Sequence, residues 1–178
     1  RRNLKVGALS CFCGNYGMLE EDECQNAFDV FTKYVNLAEL FDTPYVRVWP
    51  AWIDSAKASQ EIWSRTVRWM RRSGEYAACH GKSIIMEMHH GTLCDCAESA
   101  LYLLDAIGLK NVGLTWDPVN LYQVPTDYGR QAIRAIGKHI FNVHIKDIVA
   151  LTSDSEPGCF SYGYYARHIG RFTKVAQP

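Results

Sequence analysis

The 178 residues are 48% hydrophobic, enough for one buried core, and their 19 basic and 19 acidic side chains cancel to a formal net charge of zero. That balance argues against a broad electrostatic surface for nucleic acid or for an anionic membrane. No apolar run reaches the roughly 18 residues a membrane span needs, and the start RRNLKVGALSCFCGN lacks the apolar region of a signal peptide, so a cytoplasmic chain is expected.

Residues 5 to 10, KVGALS, predict a short buried strand that runs into the turn CGNYG. From Glu21 the apolar positions Cys24, Ala27, Phe28, Phe31, Val35 and Ala38 recur at helical spacing. Pro44 restricts the residue before it, which ends this helix near Asp42 and opens a strand over Tyr45 to Trp49. A longer helix is expected from Ser55 to Ala78, with Ile62, Val67 and Met70 inward and Gly74 weakening its last turns. Its basic run RWMRR, Arg68 to Arg72, reads as a solvated helix face rather than a phosphate site.

Ile84 to Met88 predicts a strand buried on both faces. Asp95, with Glu98 three residues on, predicts an N-cap and capping box for a helix that Gly108 ends. Asn111 to Trp116 is the next strand, and Pro118 halts its ladder. Thr126 or Asp127 caps a helix with Ile133 and Ile136 inward, and Ile140 to Ile145 is the last clear strand. From Ile148 the pattern decays into a Ser-, Gly- and Tyr-rich stretch, read as a loop, a lid or a displaced C-terminal tail over 148–178. Of the seven cysteines, Cys11 with Cys13 and Cys94 with Cys96 form C-x-C pairs. Structural zinc sites prefer C-x2-C, so free thiols in a reducing compartment are expected.

The alternation β-α-β-α-β-α-β-α-β predicts an α/β fold with a parallel sheet and right-handed crossovers. No G-x-G-x-x-G follows the first strand, which weighs against a dinucleotide-binding sheet. Three strands in succession end on chemistry-bearing residues: Glu87 in IIMEMHHG, Asp117 in VGLTWDPVN and His144 in FNVHIKD. Glu, Asp and His together are a ligand set for a hard-to-borderline divalent ion, and strand C-termini are where such folds gather their sites. A salt bridge for Glu87, a turn for Asp117 and a core imidazole for His144 are the plain alternatives.

His89 shares strand parity with Glu87 and is the better cavity-facing member of the His89, His90 pair. Lys146 extends past His144, where it can stabilise a developing enolate oxygen, and Asp147 either orients an imidazole or caps a helix. Asn120 binds a substrate hydroxyl or forms a turn. Arg47 and Trp49, at the end of an earlier strand, line a substrate pocket. Trp49, Trp52 and Trp116 serve either as walls for a sugar ring or as core.

With EMHHGTL, WDPVN and VHIKD in that order, the chain resembles the sugar phosphate isomerase/epimerase superfamily, the xylose-isomerase-like TIM barrels. The resemblance covers about residues 5–147 and is strongest over 84–147. It implies an incomplete barrel, five of eight βα units, with 1–147 as the partial core carrying the metal site. It also implies one divalent ion (Mn, Mg, Zn or Co) on Glu87, Asp117 and His144, with His89 and Asn120 near substrate and Lys146 near its oxygens. The family's final Glu ligand has no counterpart, since Glu156 follows His144 too soon.

The implied activity is an isomerase or epimerase acting on a sugar or related polyhydroxy ketone through an enediolate-like intermediate, with Glu87 as both ligand and base. Alternatives are a dehydratase of an inosose or dehydroshikimate-like cyclic ketone, and a non-catalytic sugar-binding or structural remnant. A sugar or cyclitol is the expected partner, without nucleic acid or membrane, and a homo-oligomer stays open.

Overall fold

Five short parallel strands lie side by side in sequence order, and the register between them decides which residues share a face. The computed structural model describes residues 3–122, 126–146, 149–150 and 173–174. Strands β1 (Ala8–Leu9), β2 (Tyr45–Arg47), β3 (Ser83–Glu87), β4 (Val112–Trp116) and β5 (Ile140–Val143) form one sheet in the order β1-β2-β3-β4-β5. Helices α1 (Glu21–Leu40), α2 (Gln60–Cys79) and α3 (Ala97–Ile107) are the crossovers, followed by α4 (Pro118–Tyr122) and α5 (Arg130–Ile136). Val149–Ala150 and Thr173–Lys174 pair antiparallel as β6 and β7. The rest of the expected tail, with Asp147 and Glu156, lies outside the described residues.

Strand parity sorts the side chains. Val46, Ile84, Met86, Val112, Leu114 and Trp116 join Phe31 of α1, Met70 of α2 and Leu103 of α3 in one core cluster. The opposite parity, through the pairs Arg47↔Ile85 and Glu87↔Thr115, turns Arg47, Ile85, Glu87, Gly113, Thr115 and Asp117 to the other face. At the floor of that face Tyr45 stacks on Phe141 at 5.9 Å. The stack needs Gly113, because a Cβ there would meet the Phe141 ring at 2.5 Å.

Each helix is set by local chemistry. A reciprocal capping box between Glu20 and Glu23 starts α1, and Asp42, at φ 50°, ends it while Thr43 N–H reaches back to the Ala38 carbonyl at 3.0 Å. Helix α2 begins later than expected: Ser55 sits in a single 3-10 turn, and Ser59 is the cap, its Oγ accepting from Ile62 N–H. Helix α2 runs through Gly74 to Cys79, and the missing side chain lets Leu109 and Val112 pack where a Cβ would lie 2.6 Å from Leu109 Cδ1.

The box on α3 is shifted by one residue from the expected Asp95 and Glu98. Cys96 accepts from Ser99 N–H and Ser99 Oγ accepts from Cys96 N–H, while the Asp95 carboxylate accepts from Ser99 Oγ and from Ser55 N–H. Asp127 does cap α5, accepting from Gly129 and Ala132 N–H, but Ala132 rather than Ile133 packs inward beside Ile136.

Four strands are shorter than expected, with β2 ending at Arg47 rather than Trp49 and β4 starting at Val112 rather than Asn111. β1 keeps only Ala8–Leu9 of residues 5–10, and β5 stops at Val143, leaving Ile145 91% exposed. In the run RWMRR, Trp69 and Met70 are buried in the core, while its arginines tie helices together. Arg71 donates to the carbonyls of Ala106 and Ile107 at the end of α3, and Arg68 pairs with Glu21 of α1. The six described cysteines are free thiols. Among the described residues, no helix is long and apolar enough to cross a membrane.

Candidate metal centre

Glu87 closes β3, Asp117 follows β4 and His144 follows β5, so three adjacent strands deliver one side chain each to the same end of the sheet. His144 keeps the alignment beyond its strand, because its N–H still donates to the Trp116 carbonyl at 2.9 Å. One ligand atom from each residue fits in a group whose members all lie within 4.8 Å of one another. His144 Nδ1 stands 3.5 Å from both Glu87 Oε1 and Asp117 Oδ2.

One oxygen of each carboxylate is tied away from the group, and the other, Glu87 Oε1 or Asp117 Oδ2, faces the His144 imidazole. Glu87 Oε2 takes the Arg47 Nη1–H, and Asp117 Oδ1 accepts from Asn120 N–H at 3.1 Å. Asp117 Oδ2 is fully buried and, among the described residues, accepts no aligned hydrogen bond, although Lys146 Nζ lies 2.6 Å away. A buried carboxylate oxygen without an aligned donor, facing another carboxylate and an imidazole, suits a cation. The residues therefore fit a divalent ion with two oxygen ligands and one nitrogen.

Electrostatics follow the same geometry. Burial alone would raise the Glu87 carboxyl, but His144 and the Arg47 guanidinium outweigh it and hold the group at about 2. Pairing with Asp117, then Glu87, lifts His144 to about 9 against the opposing effect of its own burial. His89 moves the other way, lowered to about 4 by burial and then by neighbouring His90.

The other expected site residues separate into two sets. Arg47 is only 7% exposed; Nε and Nη2 donate to the Cys11 carbonyl at 3.4 Å, and the guanidinium lies over the rings of Trp49 and Phe12. Asn120, 3% exposed, is a hub: its Nδ2 donates to Glu87 Oε1 at 3.0 Å and to the Met88 carbonyl, its Oδ1 accepts from Lys146 at 2.8 Å, and its own carbonyl accepts from His90 Nδ1–H at 3.1 Å. Both residues thus hold the ligands in position. His89 stands edge-on to Trp49 and Trp52, with ring centroids 5.6 and 5.3 Å away. Its Nδ1 lies 2.6 Å from the His90 carbonyl, which can only accept, so Nδ1 carries the proton and Nε2 the lone pair.

Trp116 is not brought to the centre. Its parity is opposite to that of Asp117, and it packs at 5% exposure in the helix-side core. Trp49 and Trp52 also border a cavity of about 210 Å³ with Phe12, Asn15 and Val30, which none of the three candidate ligands lines. The sequence reading missed the Cys11 carbonyl and Phe12, which anchor Arg47. A backbone acceptor on another strand leaves no residue-type signal. His90 as the donor to Asn120 was legible only as the partner of His89 with opposite parity.

Several solved structures share this arrangement of strands and helices. The probable 3-DHS dehydratase AsbF of Bacillus anthracis superposes with a TM-score of 0.73 at 22% identity, over 81% of this chain and 51% of its own. The IolI protein with a zinc atom gives 0.67 at 20% identity, over 81% and 52%. D-allulose 3-epimerase from Methylomonas sp. in complex with D-allulose gives 0.68 at 19%, over 82% and 53%. The chain thus spans about half the length of these structures, and at such identities they establish the fold alone. No curated protein matches its sequence. The model of one family does, over residues 1–172, and since that is nearly the whole sequence, this chain with its open five-stranded array belongs to the xylose isomerase-like TIM barrels.

Proposed function

We propose that the chain carries most of the centre of a divalent-metal-dependent isomerase or epimerase, one that shifts a carbon-bound proton beside the carbonyl of a sugar or related polyhydroxy ketone through an enediolate-like intermediate. The observation that carries this reading is the convergence of Glu87, Asp117 and His144 within 4.8 Å at three successive strand ends, with the buried Asp117 Oδ2 turned into the group. A bound Mn, Mg, Zn or Co ion would supply Lewis acidity toward adjacent carbonyl and hydroxyl oxygens. The zinc in one structure of this fold and the D-allulose in another support the ion and the substrate class.

The chain's own residues divide the remaining work. Arg47 and Asn120 engage the two oxygens of Glu87, which makes Glu87 a fixed ligand rather than the base. His89 is the proton carrier: it is neutral near pH 7, its Nδ1–H is committed to the His90 carbonyl, and its lone pair sits on Nε2. Lys146 presents an ammonium to a substrate oxygen that gains negative charge. Trp49 and Trp52, packed at 4.3 Å beside His89, offer apolar faces to a sugar ring.

Dehydration of an inosose or dehydroshikimate-like cyclic ketone is the second reading. It is favoured by having one poised proton carrier, His89, which can take a carbon-bound proton and return it to the departing hydroxide. Incubation of the Mn²⁺-loaded protein with ketoses and cyclic polyol ketones in deuterated water tests both. Deuterium entering beside the carbonyl is expected; an unchanged substrate skeleton selects the isomerase or epimerase, and loss of water selects the dehydratase. Mn²⁺ binding without exchange across the panel would replace both with a non-catalytic sugar-binding role.

A further inference from the structure

The chain's own cations already match the carboxylates around Asp117 even when His144 is counted as the neutral ring that a metal ligand must be. Glu87 and Asp117 bring two carboxylates, and Arg47 and Lys146 bring two cations in direct contact with them. A divalent ion added to that arrangement leaves a surplus of positive charge in a buried place, which low-dielectric surroundings penalise heavily. One of the two cations has to give way.

Arg47 cannot move. It is buried, hydrogen-bonded to the Cys11 carbonyl and enclosed by the rings of Phe12 and Trp49. Lys146 can, since its side chain is 36% exposed and enters from the rim beyond β5. Its Nζ lies 2.6 Å from Asp117 Oδ2, the oxygen that also faces His144 Nδ1 and belongs to the ligand group. That contact lacks hydrogen-bond alignment, whereas the 2.8 Å bond from Nζ to Asn120 Oδ1 has it. The ammonium is thus held by Asn120 and leans on Asp117.

Resting on the metal-centre reading, we propose that Lys146 is an internal counter-ion that Asp117 Oδ2 exchanges for a divalent cation, so that this lysine sets the metal affinity of the site. Asn120 keeps the displaced ammonium at the rim, where it faces the incoming substrate. Before loading, the same lysine compensates a carboxylate that would otherwise stand buried with only partial pairing.

Calorimetric titration with Mn²⁺ alone, on the wild-type chain and on Lys146→Met, Lys146→Gln and Lys146→Arg, tests the exchange. Loss of the charge in the Met and Gln variants should tighten Mn²⁺ binding by at least about tenfold, while the Arg variant stays near wild type. Equal or weaker binding in folded Met and Gln variants overturns the exchange and leaves the metal centre standing. No Mn²⁺ binding by any of the folded proteins overturns the metal centre and the exchange together. A readout that needs no variant is reductive methylation of Lys146 in the wild type, followed by peptide mass mapping. Mn²⁺ should raise its modification rate severalfold, and an unchanged or reduced rate counts against the proposal.

Discussion

Glu87 is held from both sides, by Arg47 at one oxygen and Asn120 at the other, while His144 and Arg47 keep its carboxyl low against the effect of burial. Truncating Arg47 to Met would strip the buried Glu87 carboxylate of its guanidinium partner and leave it only His144 and Asn120. We expect a loss of about 3–5 kcal/mol in chemical denaturation, with Arg47→Lys recovering only part because the bonds to the Cys11 carbonyl need a guanidinium. His144 gives a pH signature. Its value of about 9 in the folded metal-free protein stands above the ordinary 6.5, so the charged ring stabilises the fold. That contribution is fully present below 6.5 and is lost as pH rises through 9; melting temperature should fall across this window in the wild type and stay flat there in His144→Asn. For His89 the expected readout is kinetic. His89→Asn should lower deuterium exchange by about 10²–10⁴-fold while Mn²⁺ affinity holds, which steady-state exchange and calorimetry together would check.

At the scale of elements, the centre depends on how β5 sits against β4. The register shift between Leu114 and Thr115 accompanies Phe141 lying over Gly113, and His144 directly follows the same strand. Gly113→Ala should cost about 1–3 kcal/mol by overpacking and should also weaken Mn²⁺ binding by moving His144, measured by denaturation and titration. Asp127→Ala removes a cap from a short helix and should cost about 1 kcal/mol without touching the metal affinity.

The main elements and the convergence of Glu87, Asp117 and His144 were legible because they rest on local periodicity and on successive parallel strand ends. Strand parity also separates Trp116 from its neighbour Asp117, so its place in the core was readable too. The roles of Arg47 and Asn120 were not, since each is defined by residues 26 to 40 positions away that only the folded strands and α4 bring within reach. The α3 cap was misplaced for a different reason: a cysteine sulfur does there what Asp or Ser usually does, and Asp95 is drawn off by Ser55.

For the molecule as a whole, five parallel strands with helices against one face are a half-barrel, and β1 and β5 each have a single neighbour among the described residues. Val143 and Ile145, 51% and 91% exposed at the β5 side, make that edge adhesive. The 178-residue chain should associate with rising concentration in light scattering, and Ile145→Lys should suppress this while Mn²⁺ binding persists. Across the sheet, the rim near β1 is closed by a backbone pair: Trp49 N–H donates to the Cys13 carbonyl and Asn15 N–H to the Trp49 carbonyl. Gly14, at φ 94°, permits that approach, since a Cβ would lie 2.4 Å from the Trp49 oxygen. The indole of Trp49 takes no part in those bonds. Trp49 therefore serves two places at once: its backbone closes the seam between β1 and β2, while its ring covers the guanidinium that grips Glu87, so a change of ring would be felt at the carboxylate before it was felt at the seam.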